Sequence, residues 1–193
     1  ASVTLTGDAV EALIARIRGE NLSYCGRPKL ENIAEAALAV RNASIPGIFL
    51  EAGVALGGSA ILLGKLKPKE TPLLLYDVFG MIPAPGENDG EDAHRRYEEI
   101  RSGRSDGLGG NTYYGYIDNL LDVVKRNLTS AGLEVNADNI EYVAGLFENT
   151  LHPPAAVALA HIDCDWFDSV RVCIERIAPC LSVLPQRAVG RPR

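Results

Sequence analysis

The acids that could do chemistry in this chain each close an apolar run. Val157-Ala158-Leu159-Ala160 leads into His161-Ile162-Asp163-Cys164-Asp165-Trp166-Phe167-Asp168. Asp163 and Asp165 flank Cys164, so in extended backbone both face the same side. Two carboxylates on one side suit a hard cation such as Mg²⁺, or a ligand plus a general base. A cap at Asp168 with two solvated acids accounts for the same residues equally well. His161, inside an apolar strand, reads as a core histidine rather than a ligand. Glu51 closes Ile48-Phe49-Leu50 and stands where it could meet a cation or a hydroxyl. An acid facing an ammonium suits an amino-acid-bearing cofactor better than a pyrophosphate. Asp77 closes Leu73-Leu74-Leu75-Tyr76, the place where nucleotide-binding α/β folds commonly receive ribose hydroxyls. An N-cap or loop acid is the competing reading there.

Directly after Glu51 comes Gly53-Val54-Ala55-Leu56-Gly57-Gly58-Ser59, then the helical pattern Ala60-Ile61-Leu62-Leu63. Strand, tight turn and helix N-terminus follow one another. Gly53 can take backbone angles closed to other residues, and Gly57 and Gly58 leave room for a close approach to the main chain. Helix-start N–H groups favour carboxylate or phosphate. The dinucleotide spacing G-x-G-x-x-G is absent, which disfavours a nucleotide-linked oxidoreductase. A ligand-free turn remains open.

The elements that must position these residues alternate. Val10, Leu13, Ile14 and Ile17 recur at helical spacing behind Asp8, read as an N-cap, and Leu30, Ile33, Ala34, Ala37 and Leu38 form a second helix. Helical patterns also cover residues 92–101 and 117–128, and Ser169 is read as the cap of the last. Ile140-Glu141-Tyr142-Val143 and residues 157–163 read as the third and fourth strands. Strands alternating with helices predict a parallel α/β sheet. Residues 102–116, rich in glycine and tyrosine, read as a long flexible loop, either a lid or a surface insert.

With 193 residues, 47% apolar and 23% charged, the chain is long enough for one core. A net charge of −6 without a basic stripe argues against nucleic acid. No apolar run approaches the ~20 residues of a membrane span, and the N-terminus lacks a signal-peptide pattern. Cys25, Cys164, Cys173 and Cys180 form no C-x-x-C pair, which argues against a zinc site, and read as thiols of a reducing cytoplasm.

Four blocks in order then resemble the macrocin O-methyltransferase family. Ile45-Pro46-Gly47 through Gly57-Gly58-Ser59 resembles its I-P-G-D…E-x-G-V-x-x-G-G-S block, with Ile48 in place of the acid. Leu75-Tyr76-Asp77-Val78-Phe79-Gly80 resembles L-x-D-S-F-E, with Val78 and Gly80 replacing the serine and the acid. Val143-Ala144-Gly145-Leu146-Phe147 resembles V-x-G-x-F, and His161-Ile162-Asp163-Cys164-Asp165 with Asp168-Ser169 resembles H-I-D-x-D-x-x-D-S.

The resemblance implies a Rossmann-like S-adenosylmethionine (SAM)-dependent methyltransferase fold, with a helical leader over 1–46 and a cofactor-binding core over 47–182. It implies Mg²⁺-assisted methylation of a hydroxyl on a sugar or glycosylated natural product. Glu51, Gly53, Gly57, Ser59, Asp77, Phe79, Gly145, Phe147 and Asp163 are the implied cofactor residues. Asp163 and Asp165 are the implied metal ligands, Asp165 also serving as base. Family members continue past Leu181-Ser182 into a further strand and a D-D-Y motif. Residues 183–193 carry no acid and no strand pattern, so an irregular tail without those C-terminal strands is expected, with impaired turnover and self-association through an open sheet edge. A vestigial SAM-binding protein is the alternative.

Overall fold

The computed structural model describes residues 7–182. Helices α1 (Gly7–Gly19) and α2 (Arg27–Asn42) come first. Then β1 (Ile48–Ala52), β2 (Leu73–Asp77), β3 (Ile140–Ala144) and β4 (Val157–Ile162) alternate with α3 (Gly58–Leu66), α4 (Glu91–Arg101), α5 (Leu120–Ser130), α6 (Phe147–Thr150) and α7 (Phe167–Ile177). All strand pairs are parallel, in the order β3-β2-β1-β4. This is the Rossmann-like layering that the sequence predicts. The chain winds outward from β1 to β3, then returns to the other side of β1 as β4. The switch in direction opens a crevice at the carboxyl ends of β1 and β4, where open α/β sheets bind ligands.

Strands buried on both faces read as continuous apolar runs. β1 is buried at every position, Glu51 included. Alternation sends Phe49 and Glu51 to one face and Ile48, Leu50 and Ala52 to the other. The first face packs under α1, α2, α3 and α5, with Ile14, Leu30, Ile61 and Val124 in one core. The second packs under α7, with Leu74, Tyr76, Cys173 and Ile177. The helical leader therefore shares the core of the sheet. A third cluster, Ile82, Ile100, Tyr113 and Trp166, lies apart from both.

Several local expectations change. Asp8 lies within the first turn of α1 rather than ahead of it. Ser169 sits inside α7, which begins at Phe167; its first N–H donates to Asp89 Oδ1 at 2.7 Å, so the cap comes from a distant loop. Asp163 and Asp165 follow the end of β4, so strand alternation does not govern them. Residues 102–116 fold into short 3₁₀ turns at Leu108–Gly110 and Tyr114–Tyr116 rather than an open loop. Tyr113 is only 4% exposed, and the Tyr116 hydroxyl donates to Ile100 O at 2.6 Å and accepts from Ser105 N at 3.1 Å. Tyrosine rings that pack against one another supply the apolar burial that the glycine-rich composition conceals.

Leu181 bridges to Val157 in parallel register, and Ser182 N donates to Val157 O at 2.8 Å. The expectations for residues 183–193 lie outside the described residues. Among the described residues, no helix is long and apolar enough to cross a membrane.

Candidate active site

The carboxyl ends of β1, β2 and β4 and the turn after β3 line one cleft. Gly53, Asp77, Phe147, Asp163, Asp165 and Trp166 all border it. Gly53 holds φ at +92°, and a β-carbon there would stand 2.2 Å from the Asp163 carbonyl oxygen. The turn after β1 thus presses against the turn after β4, and only glycine lets it. The room at Gly57 and Gly58 is taken by protein rather than kept for a ligand. A β-carbon at Gly57 would meet Leu128 and Val124 of α5, and one at Gly58 would meet Leu22 and Ser23. Gly58 N donates to Leu22 O at 2.9 Å, so that helix-start donor is already satisfied. Ser59 is buried below the turn.

Asp77 stitches two turns together. Oδ2 accepts from Val54 N at 2.6 Å and Ala55 N at 3.2 Å, and Oδ1 accepts from Phe79 N at 2.7 Å. Ala55 and Phe79 both carry positive φ, at 47° and 48°, and the carboxylate holds them there. Burial pushes the Asp77 carboxyl up, while its backbone donors pull the other way. Phe79 packs edge-on against Tyr142 in the core, whereas Phe147 faces the cleft. Gly145, at φ +138°, makes the turn between β3 and α6.

Glu51 is 0% exposed. Strand register sets it opposite His161, and its Oε1 lies 2.9 Å from His161 Nδ1. Burial raises the Glu51 carboxyl; the hydrogen bond to His161 opposes that rise. The face it occupies, shared with Phe49, is covered by helices, so Glu51 lies beneath the cleft rather than in its wall.

Asp163 is held by the leader. Lys29 Nζ donates to its Oδ1 at 2.5 Å, and the Cys25 thiol donates to its Oδ2 at 3.2 Å. Burial pushes that thiol up to about 11. Asp165 has no hydrogen-bond partner among the described residues. Asp165 is exposed to the clefts, and partial desolvation by their walls raises its carboxyl, with the neighbouring charge of Asp163 adding to the rise.

A second cleft of about 380 Å³ adjoins the first. Tyr24, Arg96 and Tyr113 border this cleft alone, and Asp163, Asp165, Tyr114 and Trp166 border both. Asp165 therefore stands at the junction of two compartments. Tyr24, Lys29, Arg96 and Trp166 carry no motif that points to a site; the folded leader, α4 and the β4–α7 turn bring them in.

The residues present fit the implied cofactor. Four acids, Asp77, Glu148, Asp163 and Asp165, border the first cleft and suit a sulfonium and an ammonium, while Ile82, Leu146 and Phe147 offer apolar walls for a base. For Mg²⁺ the two carboxylates match the number of protein ligands it commonly takes beside water, although both Asp163 oxygens are engaged.

No curated protein matches the chain. Among solved structures, "Structure of the O-methyltransferase NovP" superposes with a TM-score of 0.71 at 20% identity, over 90% of this chain and 79% of that one. "Crystal Structure of CalS11, Calicheamicin Methyltransferase" gives 0.53 at 16% identity, over 92% and 75%. At such identities the likeness speaks for the fold. Residues 19–183 match the family model described as macrocin-O-methyltransferase, and the chain belongs to that family of methyltransferases.

Proposed function

We propose that the chain transfers the methyl group of SAM to a hydroxyl of a sugar or glycosylated natural product, with Asp165 as the proton acceptor. The observation that carries this reading is the position of Asp165, unpartnered among the described residues and bordering both clefts. Cofactor occupies the cleft of Gly53, Asp77 and Phe147, and acceptor the cleft of Tyr24, Arg96 and Tyr113.

The bound cofactor supplies a methyl group on a sulfonium, transferred in line to the acceptor oxygen. The protein's part is to align that oxygen and take its proton. A carboxylate raised above its ordinary range is a stronger base, better matched to a hydroxyl near neutral pH. Asp163 is the group for the cofactor's ammonium, and Asp77 both shapes the cleft floor and offers the one acceptor site left on Oδ1 to a ribose. Glu51, from beneath, supports the same end through His161. Gly57 and Ser59 keep the turn and the α3 start in place, Gly145 shapes the neighbouring turn, and Phe79 backs it. Mg²⁺ would be held by Asp165 and Asp163 with water, where it would lower the pKa of the acceptor hydroxyl. The division into a leader over 1–46 and a core over 47–182 is functional: the leader brings Tyr24 to the acceptor and Lys29 to Asp163. Four unpaired cysteines suit a reducing cytoplasm.

The test is transfer of labelled methyl from SAM to glycosides bearing free ring hydroxyls, by the wild type and by Asp165→Asn. We expect a loss of about 10²–10⁴-fold in turnover with cofactor affinity kept. Equal turnover by the variant would remove Asp165 from the reaction.

A further inference from the structure

Cys25, His161 and Asp163 converge where the leader meets the end of β4. The Cys25 sulfur, one ring nitrogen of His161 and one Asp163 carboxylate oxygen all lie within 4.8 Å of one another. Separate elements supply them: the turn before α2, β4 itself, and the turn after β4. Among the described residues no other three such donors gather this way.

The surroundings are those of a ligand set. His161 Nδ1 is engaged by Glu51 Oε1 at 2.9 Å, and His161 Nε2 is buried with no partner. A histidine whose second nitrogen donates to a buried carboxylate is the common arrangement behind a metal. With Nδ1–H donating to Glu51, Nε2 carries the free lone pair. Cys25 Sγ already lies 3.2 Å from Asp163 Oδ2, close to the ~3.5 Å that separates sulfur and oxygen donors around a tetrahedral ion with bonds of about 2.3 and 2.1 Å.

We propose that, in the protein free of SAM and Mg²⁺, Cys25 Sγ, His161 Nε2 and Asp163 Oδ2 form a site for a thiophilic divalent ion of the zinc class, with water in the fourth position; zinc there and the cofactor or Mg²⁺ at Asp163 are alternatives for the same carboxylate. One sulfur, one nitrogen and one oxygen select such an ion over magnesium, which takes oxygen ligands. The Cys25 thiolate and the Asp163 carboxylate offset the ion's two charges, and the ammonium of Lys29, which stays on Asp163 Oδ1, is offset by the Glu51 carboxylate behind His161. On binding, the Cys25 thiol proton passes to solvent and no other bond breaks. The ion ties the leader to the end of β4 and fixes the backbone of Asp163 beside Gly53.

The experiment uses Co²⁺ as the probe on the full chain after chelator treatment. A thiolate-to-cobalt absorption band should saturate at one equivalent, vanish on adding Zn²⁺ and persist in millimolar Mg²⁺. Cys25→Ser should abolish the band, Cys180→Ser should keep it, and Glu51→Gln should weaken binding about 10–100-fold. No band at stoichiometric Co²⁺, or a band that survives Cys25→Ser, overturns the proposal. Alkylation of the wild type gives a second reading that does not depend on a variant folding: bound Zn²⁺ should shield Cys25, and equal labelling with and without Zn²⁺ overturns the proposal. Neither readout needs SAM or turnover, so both stand apart from the methyl-transfer reading.

Discussion

Replacing Asp77 by alanine should cost the fold as well as the cofactor. The carboxylate receives the backbone N–H groups of Val54, Ala55 and Phe79, and the side chain is 8% exposed. Val54 and Phe79 are themselves buried, so alanine would leave two buried donors without a partner. At about 1–3 kcal/mol for each, the loss is about 2–6 kcal/mol, less whatever strain Ala55 and Phe79 release as their positive-φ turns relax. That is a large part of the ~5–15 kcal/mol that holds a typical domain together. Urea unfolding of wild type, Asp77→Ala and Asp77→Asn measures it directly. Asparagine should recover only part of the loss, since its amide offers one accepting oxygen where two are used. SAM affinity should fall in parallel by tenfold or more, because Val54 and Ala55 belong to the turn that shapes the cleft. An unfolding midpoint within error of wild type, with SAM affinity lost, would refute the stitching argument and leave a ribose contact alone.

Gly53→Ala places a β-carbon 2.2 Å from the Asp163 carbonyl oxygen at φ +92°, so a loss of about 3 kcal/mol, a fall of roughly 6–12 °C in Tm, is expected from calorimetry; a Tm within 2 °C of wild type would argue against that contact. Asp89→Ala removes the acceptor for Phe167 N and should cost about 1 kcal/mol in urea unfolding, with Ser169→Ala near neutral. The order reversed would restore Ser169 as the cap. Methyl transfer should fall on acidification at a pH above the ordinary aspartate value, because Asp165 must be ionised to accept a proton and partial desolvation at the cleft walls, with Asp163's charge, raises its pKa. Its contribution to stability runs the opposite way: a folded-state pKa that is raised makes that contribution complete below the unfolded value and lost as pH rises through the folded one. A pH–rate profile flat through that acidic region would contradict the assignment.

The strands were legible because buried parallel strands are unbroken apolar runs, and the acids that end them stand out in the sequence. β1, β2 and β4 with Glu51, Asp77 and Asp163 at or just past their ends follow from that alone. Partners were not legible, since they depend on register and long-range closure. His161 faces Glu51 only because β4 pairs with β1, and Lys29 and Cys25 reach Asp163 from the far end of the chain. Gly57 and Gly58 advertised a close approach without saying what approaches, which proves to be α5 and the leader. Asp89 caps α7 from a loop that reads only as turn-rich, and nothing in the spacing of Tyr24, Tyr113 and Tyr114 foretold that they would pack as one wall.

The most direct test of the central claim is calorimetric titration of the protein with SAM and, separately, with NAD. The account predicts saturable heat with SAM at one site per chain, diminished in Asp77→Ala, and none with NAD. Heat with NAD and none with SAM would contradict it.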